Sequence, residues 1–544
     1  MLSYRKLAMR VLGRPLHTEG IDSPRPASQR AAALVLTAAM LTTLAAPAFA
    51  DIWRIEDGDI TVKAGETEGT NKVSQGTNKD VVDTNTIITN QNKDTTSSHT
   101  VTIETNDKND KVEVTLKDVN IDTSSRNKAA VSVTGEGDTN IKLDGDNALK
   151  SDIYRSGIYG SGSGSLTISG GENDSLTAQG GSGANGISSS GSLTISGGTV
   201  TANGDDGGRG ISSSGSVTIS GGSTVTANGG SGTISGGDGI WSGGGVTISG
   251  GSTVTANGGN GGSLVGGDGI RSGGGLTVSD GTVTAKGGNG DSKDGYGGDG
   301  IRSGGVVTIS GNTVNAAGGY GGKVGGYGIC SFDRVAISGG TVEAAGGNGS
   351  TGGGSGIYSS VIDLSGSLEL TAKAGSPTGK ALLQNGRELD LDTIKDKLGP
   401  GAKVTATDAN GDSKQVSIPR PVEPEEPVIP EESSSSSDGG SATPSAPVSP
   451  LPGLTVTDKD GQRISYTSTQ SGNALTVCVG RLTASLRISL AALRQMRAEG
   501  IETITFQTIL CSTTLSVDEL LAMGGEDAEA VLTHRFTDSS LTVD

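Results

Sequence analysis

Three aspartates recur at equivalent positions of a repeated Gly-Asp-Gly-Ile sequence: Asp238, Asp268 and Asp299. Three residues after each of them stands a side chain suited to ligand contact: Trp241, Arg271 and Arg302. If the repeats stack, carboxylates in register would lie about 5 Å apart. At that spacing they could bind a cation or hold protons with perturbed pKa values. These six residues are the candidate ligand-binding set.

A simpler interpretation, which we favour, is that each aspartate accepts a hydrogen bond from its own turn and that the arginines neutralise the row. Depolymerising enzymes built from stacked coils need clustered acids, or acids with Lys or Arg, on adjacent coils. The elements Gly-His-Gly and Arg-Ile-Lys that such hydrolases use are absent. The only histidines lie outside the regular repeats: His17, His99 and His534. We therefore expect no catalytic residue, no metal ligand and no cofactor; the calcium-binding nonapeptide pattern is not met.

Two further patterns bear on binding. A Thr-x-Thr pair recurs from Thr199 to Thr284 and breaks at Asn315 and Glu343, which suggests an outward array or simply good strand residues. Aromatic residues, the usual stacking platform for sugars, are few: Trp241, Tyr296, Tyr320, Tyr327 and Tyr358. The Gly-Gly-x-Gly loops open no helix and carry no phosphate-binding Lys, so nucleotide binding is not expected.

The elements that would position these residues form a repeat between residues 157 and 375. One isoleucine anchors each unit, at intervals of 24 to 31 residues: Ile158, Ile187, Ile211, Ile240, Ile270, Ile301, Ile329 and Ile357. Each unit holds three short β-type segments separated by Gly-rich turns, which indicates one coil of a solenoid. No segment reaches ten residues without glycine, so a helical reading fails.

Alternation within each unit predicts which side chains point inward. In the sequence beginning at Leu193, Leu193 and Ile195 share one face, and Thr194 and Ser196 share the other. Stacked coils then form continuous aliphatic ladders, and glycines supply the positive φ angles of sharp corners. The predicted fold is mainly β, a right-handed parallel β-helix (solenoid) of about eight regular coils, plus a small C-terminal α/β domain.

Composition and charge constrain partners and location. The chain has 93 Gly, 3% aromatic residues and a net charge of −18, which becomes −22 without the six basic and two acidic residues of the first fifty. This charge argues against nucleic acid and anionic membrane surfaces as partners. A basic stretch, an apolar run over 31–46 and the sequence Ala48-Phe49-Ala50 predict a signal peptide. The membrane is thus expected to matter only for export, to a secreted or cell-surface location.

The chain divides into six predicted segments. They are a signal peptide (1–50), an N-terminal cap with irregular coils (51–156), regular coils (157–375), a C-terminal cap (376–418), a Pro/Ser/Glu-rich linker (419–453) and a small α/β domain (454–544). In the last, Ser489 and the Ser516–Glu519 capping box predict two short helices. Cys478 and Cys511 either pair or remain buried thiols.

The repeat sequence from Gly239 to Gly251, with the opening-coil sequences at 114–121 and 140–147, resembles bacterial secreted carbohydrate-binding domain-containing repeat proteins. The broader pattern is similar to the pectin-lyase-like parallel β-helix. The resemblance covers roughly residues 51–375 and implies glycans or host cell-surface material as partners. We accordingly expect a non-catalytic, carbohydrate-binding or adhesive protein. The alternatives are a polysaccharide lyase or glycoside hydrolase, and a structural spacer that presents the C-terminal domain.

Overall fold

The structure is a computed structural model that describes residues 52–419 and 453–543, the latter with gaps at 459–461, 465, 472, 480–482, 509–511, 524–527 and 536–537. The chain divides into two compact units, residues 1–424 and 425–544. The first unit is a parallel β-solenoid of about 14 turns, and the C-terminal unit contains small sheets. The predicted β-helix is therefore confirmed.

Three ladders of parallel strands run along the solenoid, and every regular coil contributes one strand to each. Ladder A consists of Ile60–Ala64, Val101–Glu104, Val131–Thr134, Ile158–Gly160, Ile187–Ser189, Ile211–Ser213, Ile240–Ser242, Ile270–Ser272, Ile301–Ser303 and Leu382–Gln384. Ladder B consists of Ile52–Arg54, Thr86–Thr89, Lys111–Lys117, Asp138–Asp144, Leu166–Ser169, Leu193–Ser196, Val217–Ser220, Val246–Ile248, Leu276–Val278 and Val307–Ile309.

Ladder C consists of Asn120–Asp122, Asp146–Lys150, Ser175–Ser182, Thr199–Asp205, Thr224–Asn228, Ser252–Asn257, Gly281–Lys286, Thr313–Ala317 and Lys403–Thr407. Two long strands, Ile329–Ala345 and Ile357–Lys373, turn both corners and contribute to all three ladders. The register places like on like, as in the row Ile211, Ile240, Ile270 and Ile301. All four are fully buried, so the predicted aliphatic ladders form the core.

Antiparallel strands close both ends of the solenoid. Asn71–Gln75 and Asn78–Asp83 fold back beside the first strand of ladder A. At the other end Arg387–Glu388 and Ser413–Ser417 pair antiparallel with the last strands of ladders A and C. Short 3-10 helices at Ile55–Asp57 and Leu391–Lys397 complete these ends. At the N-terminus of the second, the side chain of Asp390 accepts a hydrogen bond from the amide of Asp392.

Between ladders C and A, each regular coil from residue 229 onward forms a glycine-rich loop. Each loop has an outgoing segment and a returning segment. The backbone N–H groups of the loop donate in a pattern that repeats every three residues. Gly258 and Gly261 donate to the next coil, whereas Gly259 donates to Gly237 on the preceding coil. A three-residue period is that of extended polyproline-II-like chains. A Cβ built on Gly267 would lie 1.9 Å from the carbonyl oxygen of Gly237. Glycine is thus required at this position because the two backbones approach each other closely. The sequence analysis had instead explained the glycines by the positive φ angles of the corners.

The first coils are tied together by one carboxylate. Asp59 accepts hydrogen bonds from both terminal nitrogens of Arg126, at 2.7 and 3.1 Å, and from Lys128 at 3.0 Å. Burial alone would raise the pKa of Asp59, but these bonds outweigh it and hold the pKa at about 2. Because the folded-state pKa lies below the unfolded value, this stabilisation is present above about pH 4 and is lost as pH falls toward 2.

We expect Arg126→Ala to raise the pKa of Asp59 toward its ordinary value while costing at most about 1 kcal/mol, since the ion pair is about one-third exposed. Carboxyl-carbon NMR titration of Asp59 measures the shift. Lys117→Ala, which removes a different inter-coil ion pair with Asp144, is the control and should leave Asp59 unchanged. An unshifted Asp59 in Arg126→Ala would mean that the guanidinium does not set this pKa.

In its described residues, the C-terminal unit has two four-stranded sheets and two helices. One sheet contains Leu454–Thr457, Ala484–Ser489, Glu529–Arg535 and Asp538–Val543; the other contains Thr467–Ser471, Ala474–Cys478, Thr503–Gln507 and Ser512–Ser516. The helices are Leu490–Ala498 and Val517–Met523, and Ser489 caps the first as predicted. The last two strands of the first sheet, Glu529–Arg535 and Asp538–Val543, pair antiparallel. His534 is fully buried here, and Cys478 is a free thiol; Cys511 lies outside the described residues.

Candidate functional site

The three aspartates lie on the returning segments of successive glycine loops, two residues before the isoleucine of ladder A. These residues are 2–6% exposed. The Asp238 carboxylate accepts the amide N–H of Asp268 at 2.9 Å, and Asp268 accepts that of Asp299 at 2.8 Å. Asp299 in turn accepts the amide of Tyr327 at 2.7 Å. The expectation that each aspartate bonds its own turn is therefore wrong, because each one bonds the backbone of the next coil.

Arginines cover the other carboxylate oxygens. Nε of Arg302 lies 3.2 Å from Oδ2 of Asp268, and a terminal nitrogen of Arg302 lies 2.8 Å from Oδ2 of Asp299. Arg271 lies 3.9 Å from the same Asp268 oxygen. These are close ion pairs without good hydrogen-bond alignment, since Arg302 Nε and Asp299 Oδ2 are buried atoms with no hydrogen-bond partner of acceptable geometry in the described chain. Arginine neutralisation of the row, as predicted from sequence, is present.

Burial dominates the proton equilibria of this row. Removal from water, together with the neighbouring Asp299 carboxylate, raises the pKa of Asp268 to about 7. Burial likewise raises the pKa of Asp299 to about 6, against the opposing effect of Arg302. Cys330, which follows Arg302 in the register of ladder A, has its thiol pKa raised by burial to about 12. That thiol is protonated at neutral pH and is a poor nucleophile.

This arrangement is suited to holding coils together. The carboxylates lie beneath the guanidinium groups, and their Oδ1 atoms are occupied by backbone amides, so substrate would have no free carboxylate to meet. Among residues 52–419 and the described parts of 453–543, no three potential metal ligands converge on one point. The geometry therefore favours a structural role for Asp238, Asp268 and Asp299.

The aromatic residues named from sequence fall into different environments. Trp241 is half-buried, with the guanidinium of Arg209 4.3 Å from its ring centroid. The rings of Tyr327 and Tyr358 stack, with their centroids 5.1 Å apart.

Arg209 was missed by sequence reasoning, although it occupies the aspartate position one coil earlier and its Nε lies 3.3 Å from Oδ2 of Asp238. Aligning that position across all the repeats would have found it.

The outer ends of the glycine loops carry large apolar side chains on four successive coils. Five of these side chains are 41–60% exposed, and we call them the apical ridge: Ile234, Leu264, Val265, Tyr296 and Tyr320. Backbone contacts hold the loop ends in register, since Val265 pairs with Tyr296 and Leu264 donates to the Ile234 carbonyl. Lys323 extends over the Tyr296 ring at 5.6 Å. Sequence analysis named the two tyrosines but missed the aliphatic members.

The threonine array is in register as expected. Thr199, Thr224, Thr253 and Thr282 are direct neighbours on ladder C. A second row, two residues further along each strand, ends where Thr284 meets Asn315.

Comparison of the chain with protein-family models, curated proteins and solved structures gives no match. The site has therefore to be interpreted from its own geometry.

Proposed function

We propose that this chain is an exported, non-catalytic adhesive protein that contacts glycans of cell-surface material through one side of its solenoid. The apical ridge carries the proposal. Exposed apolar side chains that are contiguous on a soluble protein commonly mark interaction sites. Here the loops that present them are held by inter-coil backbone hydrogen bonds, so the side chains are positioned before any ligand arrives.

The chemistry of the ridge suits a saccharide surface. Tyrosine presents an apolar ring face to sugar C–H groups and a hydroxyl to their oxygens. Tyr296 and Tyr320 lie on adjacent coils; Tyr296 is on the returning segment of its loop, beside Val324, and Tyr320 is on the outgoing segment, beside Asn289. The Lys323 ammonium beside Tyr296 adds a hydrogen-bond donor at the same place.

The alternatives find less support in the geometry. A polysaccharide lyase or hydrolase needs accessible acids, whereas Asp268 and Asp299 are 4% and 2% exposed. The spacer hypothesis places all binding in residues 454–544, whereas the apical ridge lies in the solenoid. Export is predicted from residues 1–50, which lie outside the described residues. No helix in the described chain is long and apolar enough to cross a membrane.

We expect the double variant Tyr296→Ala/Tyr320→Ala to bind glycans at least tenfold more weakly than the parent chain, because both rings of the ridge are removed. Glycan-array binding of residues 51–544 identifies a ligand, and titration calorimetry measures the change. Both side chains are more than 40% exposed, so thermal stability should be unchanged.

Tyr159→Ala is the matched control. Tyr159 is 43% exposed, close to the exposure of the ridge tyrosines, but lies on ladder A, outside the glycine loops. Equal binding by parent and double variant would remove the ridge as the contact surface. Binding to none of the glycans, or release of reducing or unsaturated ends from them, would reject the proposed function.

A further inference from the structure

A polar groove lies at the N-terminal end of the solenoid, apart from the apical ridge. It runs between the turns of the closing antiparallel strands and the outer side of ladder B. Its cavity of about 400 Å³ is lined by Glu68, Asn85, Lys111, Glu113, Asp138 and Asn140, among others. A second cavity of about 470 Å³ shares Glu68 and Lys111 with it, so the two form one groove. These volumes fall in the range of small-ligand sites.

Most of the lining residues carry amide, hydroxyl or carboxylate groups. Asn140 donates to the Glu113 carboxylate at 3.0 Å, and Ser165 donates to Asp138 at 2.6 Å. These bonds orient the side chains before a ligand binds. A ligand with many hydroxyl groups matches such polar groups.

Charge narrows the ligand class. Three carboxylates (Glu68, Glu113 and Asp138) face a single ammonium, Lys111, in the 400 Å³ cavity. An anionic sugar such as a uronic acid would be repelled, because like charges at short range disfavour binding.

We infer that this groove is a saccharide-binding site for neutral or amino sugars that discriminates against acidic ones. The inference does not depend on the apical ridge. It extends the proposed function by assigning a second, concave site with a defined ligand charge. The Asn140 amide and the Glu113 carboxylate are the groups that we expect to contact sugar hydroxyls.

The test uses residues 51–544 and oligosaccharides of two to four units of glucose, N-acetylglucosamine, glucosamine and galacturonic acid. Titration calorimetry should find binding by at least one neutral or amino-sugar series, and at least tenfold weaker binding by the galacturonate series. Asn140→Ala should weaken that binding at least tenfold. Glu113→Gln keeps an acceptor for Asn140 and removes one charge, so it should narrow the discrimination against galacturonate several-fold.

Asn315→Ala, a half-buried asparagine on ladder C, is the control and should bind as the parent does. Thermal melting of each variant separates loss of folding from loss of binding. Absence of binding by all four series, equal binding of galacturonate, or unchanged affinity in folded Asn140→Ala would overturn the inference. For any oligosaccharide whose binding is weakened by Asn140→Ala, Tyr296→Ala/Tyr320→Ala should leave the affinity unchanged, so failure of the ridge and failure of the groove are told apart.

Discussion

Substituting Gly267 by alanine is expected to destabilise the solenoid by about 3 kcal/mol or more, and to lower the yield of folded protein. The new Cβ would lie 1.9 Å from the Gly237 carbonyl oxygen and 2.4 Å from its carbon. Neither neighbour is a movable side chain, so two coils would have to separate by more than 1 Å. Because each coil contacts only its neighbours, that separation breaks the stack at one interface. Thermal and denaturant unfolding measure the loss.

Gly311→Ala is the matched control. Gly311 lies at the corner between ladders B and C, where the nearest atom to an added Cβ is the Ser279 carbonyl oxygen at 3.5 Å, an ordinary contact. It should cost little. If Gly267→Ala and Gly311→Ala unfold at the same temperature, close approach between backbones is not the reason for glycine in the loops.

Two replacements of Asp268 separate its charge from its hydrogen bond. Asp268→Asn retains an oxygen for the Asp299 amide and removes a buried negative charge, so at pH 8 it should melt at a higher temperature than the parent. Asp268→Ala also removes the charge, but it leaves the Asp299 amide without its acceptor. It should therefore be about 1–3 kcal/mol less stable than Asp268→Asn at every pH.

The pH dependence follows from the raised pKa of Asp268. Its folded-state pKa of about 7 exceeds the ordinary value of 3.8, so the folded state binds more protons between these limits. That stabilisation is complete below about pH 4 and is lost as pH rises through 7. The difference in melting temperature between Asp268→Asn and the parent should therefore grow from pH 4 to pH 8. Asp280→Asn, an exposed carboxylate of the same coil, should show no such trend.

The ladders could be predicted from sequence because their rule is local. Alternation in segments such as Leu193–Ser196 fixes which residues face inward, and the recurrence of the same alternation fixes what lies above and below. Stacking of Asp268 on Asp299 and neutralisation by Arg302 followed from the same recurrence. The hydrogen-bond partner of the aspartates did not, because it depends on the relative height of loops whose lengths differ between coils.

The glycine loops and the N-terminal groove show where this reasoning stops. A sequence records that position 267 is glycine, but it does not record the carbonyl oxygen that would meet a side chain there. Residues 71–83 are polar and lack a strong alternation, so their antiparallel pairing was missed, and with it the wall of the groove. The exposure of Ile234 and Leu264 was likewise hidden, because apolar residues in a loop are usually assigned to the interior.

The antiparallel strands at the two ends of the solenoid have a consequence for how such molecules behave at high concentration. An open parallel edge is a template on which another copy could continue the sheet, as in amyloid-type growth. Asn78–Asp83 and Ser413–Ser417 occupy those edges with short, polar and charged segments instead. The solenoid thereby has a set length, which changes only when whole repeats are gained or lost in the gene.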